Sequence, residues 1–186
     1  MTDDVRRLFF ALWPDAATRP ALAALARSVA LPAGARRVHP ADLHLTLQFL
    51  GPVPAGRLPS VLAAAAGVSA EPVDVTLTRV GCWRRARVAW LAPDDTPSAL
   101  AALVGALGDR LAAADYPPEA RPFRPHVTVA RKIAKLSAAR LAAGFHWRSL
   151  DFALVESLSL AAPPRYRVLA TWSLEEKRLE NKKRTN

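Results

Sequence analysis

The chain has 186 residues, 51% of them hydrophobic and 23% charged, which suits one well-cored domain or two small lobes sharing a core and argues against disorder. No apolar run reaches the ~18–20 residues of a spanning helix, and Met1-Thr2-Asp3-Asp4 leads into no secretory core. Cys82, the only cysteine, excludes an internal disulfide and a cysteine-based zinc site, so a cytoplasmic protein is expected. The net charge is +10; residues 175–186 hold five positive and three negative charges, so the body itself remains basic and favours a polyanionic partner, nucleic acid ahead of membrane.

In chain order, Arg6 to Trp13 reads as an apolar strand ended by Pro14, and Asp15 as the N-cap of a helix running to about Ala30. A loop through Pro32, Gly34 and Pro40 leads to the alternating run Leu43–Leu50, which Gly51-Pro52 terminates. An alanine-rich helix over Leu58 to Ala66 and an amphipathic strand from Val73 follow. The pattern then restarts. Ala86 to Ala92 reads as a strand with a basic start (Arg84, Arg85, Arg87), and Thr96-Pro97 as the capped start of a helix with a Leu100–Leu111 stripe. A second alternating run spans Arg124–Arg131, a short helix is expected near Ser137–Ala143, and strands over Leu150–Leu160 and Tyr166–Leu174 close the fold. The expectation is one two-lobed α+β domain over 1–174, duplicated roughly as 6–80 and 86–160, followed by a basic, frayed tail at 175–186. Two antiparallel-rich sheets would flank a central cleft, with helices outside.

The two alternating runs carry the chemistry. Side chains two apart on a strand share a face, so His44 and Thr46 point one way, as do His126 and Thr128. A pair of imidazoles across one cleft can act as base and acid near neutrality. In-line displacement at phosphorus suits such a pair, because entering and leaving oxygens lie on opposite sides. The threonine hydroxyls could donate to non-bridging oxygens, and the guanidinium of Arg131 fits phosphate bidentately. Gln48 shares the His44 face by alternation and is a further candidate for the cleft. His39 reads as loop and His146 as a surface residue beside Trp147, while Phe9, Phe10 and Trp13 read mostly as core.

His44-Leu-Thr-Leu and His126-Val-Thr-Val resemble the paired His-x-Thr-x motifs of the two-histidine phosphoesterases. Arg7-Leu-Phe-Phe-Ala-Leu, the run on to Gly51 and Phe123-Arg-Pro-His-Val-Thr-Val-Ala-Arg131 are similar to the RNA 2′,3′-cyclic phosphodiesterases, also described as 2′-5′ RNA ligases. The resemblance implies a bilobal α+β fold and metal- and cofactor-independent hydrolysis of a 2′,3′-cyclic phosphate to a 2′-phosphate. It makes His44 the proton donor to the leaving 3′-oxygen and His126 the acceptor that activates water, with Thr46, Thr128 and Arg131 on the phosphate. The partner is then an RNA or nucleotide with a cyclic phosphate end, met by a monomer away from any membrane. Val129 departs from the usual leucine on the buried face. Two alternatives stand beside hydrolysis: 2′-5′ ligation by the reverse reaction, and a basic RNA-binding module without catalysis. An ATP-dependent ligase is disfavoured, because none of the five lysines stands in Lys-x-Asp-Gly.

Overall fold

The computed structural model describes residues 5–158 and 162–175; most of the basic tail (176–186) and part of the expected Leu150–Leu160 strand lie outside them. β1 (Val5–Leu12) is buried from Leu8 onward, as its unbroken apolar run requires of a strand covered on both faces. After Pro14, Asp15 accepts from the Thr18 N–H at 2.6 Å and starts α1 (Thr18–Ser28), which buries Leu22, Ala23 and Ala26. Next come the two-residue β2 (Arg36–Arg37), a 3-10 turn over Pro40–Asp42, β3 (Leu45–Pro54), α2 (Leu58–Ala66), β4 (Val73–Trp83) and β5 (Val88–Ala92). Then α3 (Ser98–Ala112), β6 (Val127–Arg131), β7 (Ala139–Ser149), β8 (Asp151–Ser157) and β9 (Tyr166–Ser173) complete the chain. α3 starts behind Pro97 with no side-chain cap, so Thr96 does not play the capping role expected of it.

The strands pair antiparallel in the order β7-β4-β5-β6-β3-β1-β8-β9, with β2 added on β6. With the helices set apart from the sheet, this is an α+β fold. The two expected sheets are two leaves of one sheet. β3 touches β6 through a single register pair, Leu45 opposite Val127. Each leaf mixes the two halves of the chain: β4 lies beside β5, while β8 and β9 extend the leaf of β1 and β3.

The expected helix near Ser137–Ala143 is instead the start of β7. Its alanine and leucine content favours a helix, but β7 pairs with β4 from Val73↔Ser149 to Val80↔Ala139, and that ladder decides the outcome. Gly144 lets the strands close up, since a Cβ there would lie 2.9 Å from the Thr76 methyl.

One large core fills the helix side. It joins Leu22 and Ala26 of α1, Val61 of α2 and Leu100, Leu103, Leu107 and Leu111 of α3 to the inner faces of both leaves, including Leu45 and Val127. A second, small cluster of Phe9, Ala11, Ala153 and Val155 lies on the other face of the first leaf, with Trp13 and Tyr166 packed on it.

Candidate active site

The single joining pair organises the site. Leu45 and Val127 are both fully buried in the helix-side core, so their neighbours along each strand must point the other way. His44, Thr46, His126 and Thr128 therefore share one face. In antiparallel register the residues flanking a pair are crossed, which puts His44 opposite Thr128 and Thr46 opposite His126. The two histidines become diagonal neighbours, roughly 7–8 Å apart along the backbone in an ideal ladder and somewhat closer between Cβ atoms. The result is a local two-fold arrangement about Leu45–Val127, with each threonine facing the other motif's histidine.

Both imidazoles are fixed by the same local device. His44 Nδ1 lies 2.7 Å from the Asp42 carbonyl, and His126 Nδ1 lies 2.8 Å from the Arg124 carbonyl, each two residues back. A carbonyl can only accept, so each neutral ring carries its proton on Nδ1 and leaves the Nε2 lone pair for chemistry. Neither threonine hydroxyl has a hydrogen-bond partner among the described residues, so both are available to a ligand.

The surroundings of the two rings differ. His44 stacks on Trp13 at 5.1 Å and 12°, with Phe9 at 4.9 Å and the Tyr166 ring edge-on at 5.1 Å. Burial in this aromatic box lowers its pKa to about 4; the Asp42 carbonyl opposes the shift, and the nearby charges of His126 and Arg131 add to it. His126 meets Trp83 edge-on at 4.4 Å. Its pKa is lowered too, by burial first and then by Arg121.

Two strand irregularities decide which further candidates reach this face. In β6, Ala130 pairs with Ala89 but Thr128 pairs with Trp90, leaving Val129 as an extra residue. Val129 and Ala130 both turn to the core, and Arg131 is thrown back onto the face of Thr128, where strict alternation would have hidden it. In β3 the corresponding slip has Phe10 opposite Gln48 and Ala11 opposite Thr46. It turns Gln48 off the His44 face, yet Gln48 still lines the cavity that opens at Thr46 and His126. Its amide donates instead to the Tyr116 carbonyl at 3.0 Å and holds the segment after α3. His39 caps the 3-10 turn through the Ala41 N–H, and His146 pairs with Asp74 at 3.0 Å on the surface.

From Thr46 and His126 a cavity of about 420 Å³ runs between the leaves toward α3, walled by Trp83, Phe123, Phe49 and Pro118, with Arg124 beside them. Alternation did not expose the roles of Trp83 and Tyr166, which act through ring contacts across strands. The available signal was position: Trp83 immediately precedes the arginine cluster, and Tyr166 opens the last strand.

A two-leaved antiparallel sheet that crosses two His-x-Thr strands at one pair has the architecture of a two-histidine phosphoesterase. The chain belongs to the 2′-5′ RNA ligase superfamily, whose family model matches residues 13–163. The RNA 2′,3′-cyclic phosphodiesterase of Escherichia coli K12 is 31% identical over 173 residues, 92% of this chain and 98% of that one. The protein of the same name from Thermus thermophilus is 32% identical over 182 residues, 90% of each. The structure of E. coli LigT complexed with 3′-AMP matches with a TM-score of 0.83 at 29% identity, covering 93% of this chain and all of that one.

Proposed function

We propose that this chain is an RNA 2′,3′-cyclic phosphodiesterase that opens the ring to a 2′-phosphate with two histidines and no metal. His126 takes a proton from water as its oxygen bonds to phosphorus, and His44 gives one to the 3′-oxygen as the P–O3′ bond breaks. Thr46 and Thr128 donate to the non-bridging oxygens, and Arg131 balances the developing charge. The observation that supports this most is the crossed pair about Leu45–Val127, which sets two free Nε2 atoms diagonally around a space lined by unpartnered hydroxyls. Grip alone would be better served by arginine or lysine in place of the histidines. No helix of the described residues is long and apolar enough to cross a membrane, and we read the enzyme as a cytoplasmic monomer acting on RNA ends.

The pKa directions constrain the cycle. In the free protein His44 is neutral above pH about 4. Its role as donor requires the substrate's anionic phosphate to stabilise the imidazolium against burial, His126 and Arg131. The kcat/KM profile reports the free enzyme, so its acid limb should fall near pH 4 and its basic limb below 6.5, the ordinary histidine value from which His126 is lowered. The kcat profile, which reports the complex, should move upward. Hydrolysis of a labelled cyclic end tests the whole reading: a 2′-phosphate is expected, whereas a 3′-phosphate or an unchanged end refutes it.

A further inference from the structure

Among the stretches of the chain that contain no Asp or Glu are 16–41, 75–93 and 120–150. Strand pairing brings them together, because β2, β6, β5 and the part of β4 from Val75 onward come from these stretches and lie side by side. Arg36 stands directly opposite Arg131 across the β2–β6 pair, and Arg131 stands opposite Val88. The residue before Val88 is Arg87, in the turn that also carries Arg84 and Arg85. All five arginines are exposed, and none has a carboxylate partner among the described residues. Asp94, which follows β5, is taken by Arg79 and Arg140.

The arrangement works against the free protein. Like charges directly opposite on paired strands destabilise a sheet, and an anion lying along Arg36 and Arg131 would relieve that repulsion. The turn is also held in place. Arg87 adopts φ 56, and its carbonyl accepts from the Ile133 N–H at 3.0 Å, which anchors the turn to the chain leaving β6. Trp83, the last residue before the turn, has its ring against His126. The basic ridge and the reacting centre are therefore one continuous surface, with an aromatic platform at the junction.

We propose that this ridge grips the phosphates of the strand upstream of the cyclic end, so that an oligonucleotide, and not a cyclic mononucleotide, is the preferred substrate. The proposal rests on the cyclic phosphodiesterase reading. A single RNA strand suits the ridge better than a lipid surface, because the ridge leads into a concave site that a flat bilayer cannot follow.

The test compares kcat/KM for a cyclic mononucleotide with that for a short oligoribonucleotide ending in the same cyclic nucleotide. It uses the wild type and the triple variant Arg84→Ala, Arg85→Ala, Arg87→Asn, asparagine being tolerant of the positive φ. The wild type should favour the oligonucleotide by about tenfold or more at low salt, and the plot of log kcat/KM against log salt should flatten by about 2 in the variant. Mononucleotide turnover should change less than twofold. A wild-type ratio near one, or a variant that keeps the full ratio, overturns the ridge while leaving the activity standing. Binding of a 3′-phosphorylated oligonucleotide, followed by anisotropy, reads the ridge without catalysis, so a protein inactive on both cyclic substrates sinks the activity alone. Anionic vesicles that bind with the same dependence on the three arginines, while the oligonucleotide does not, would assign the ridge to a membrane and overturn the proposal.

Discussion

His44 and His126 are held by the same backbone device and placed by the same strand pair, yet one sits in a box of three aromatic rings and the other against the edge of one. A two-fold arrangement of identical groups gives no reason for one to donate and the other to accept. The difference has to come from what packs around them. Trp13, Phe9 and Tyr166 exclude water from His44 and make its proton labile, which suits an acid charged only when phosphate is present. His126 stands nearer the 420 Å³ cavity and the solvent that supplies the nucleophile. The lesson is that pseudo-symmetry builds the site and the packing breaks it.

That comparison can be broken by experiment. The largest effect expected is loss of turnover: His44→Ala and His126→Ala should each lower kcat by ~10²–10⁴-fold in folded protein. A substrate with sulfur at the leaving 3′ position needs no acid, so it should restore most of the His44→Ala rate and little of the His126→Ala rate. Equal rescue of both would exchange or abolish the assigned roles. Next comes stability. A folded-state pKa near 4 lies below the ordinary 6.5, so the unfolded chain binds more protons between those values. The stability contributed by neutral His44 is full above pH 6.5 and declines as pH falls to 4, by about 3 kcal/mol at 1.36 kcal/mol per unit. Urea melts of wild type and His44→Gln across that window should diverge by roughly this amount; parallel curves would mean that the ring is not desolvated.

Smaller effects sharpen the picture. Thr46→Val and Thr128→Val each remove one hydrogen bond to a charged oxygen, and kcat/KM should fall about 10- to 100-fold in each. Because each threonine faces the other motif's histidine, Thr46→Val should disturb the titration of His126 more than that of His44, which NMR of the two imidazoles would show. The mildest change is Gly81→Ala. A Cβ there would lie 2.5 Å from Trp90 Cζ2, so Trp90 must shift and with it Trp83, which it contacts at 5.7 Å. A loss of a few-fold in kcat is expected, through Trp83 on His126, with His44 unaffected.

The features that the sequence reveals are those that repeat at fixed spacing. Alternation in Leu43–Leu50 and Arg124–Arg131 places both histidine–threonine pairs on one face of each strand, and the structure brings them together. The extra residues are invisible to a period of two. Val129 brings Arg131 to the cleft face by adding one position, and a slip in β3 turns Gln48 from the histidine face to the cavity wall toward α3. The segment Ser137–Ala143 has a helical composition and is drawn into β7 only because β4 offers partners 59 or more positions earlier, from Val73↔Ser149 to Val80↔Ala139. The aromatic box belongs to the same class. Trp13 and Tyr166 meet over His44 from opposite ends of the chain, and only the folded sheet relates them.

The join between the leaves has a mechanical consequence. Two broad blades share one rung on the side where the phosphate would sit, so the gap between the imidazoles is set by the dihedral angle at Leu45–Val127. A tetrahedral anion that reached both rings would act as a rivet across that angle. Leu45 and Val127, fully enclosed by the core beneath them, hold that angle from below.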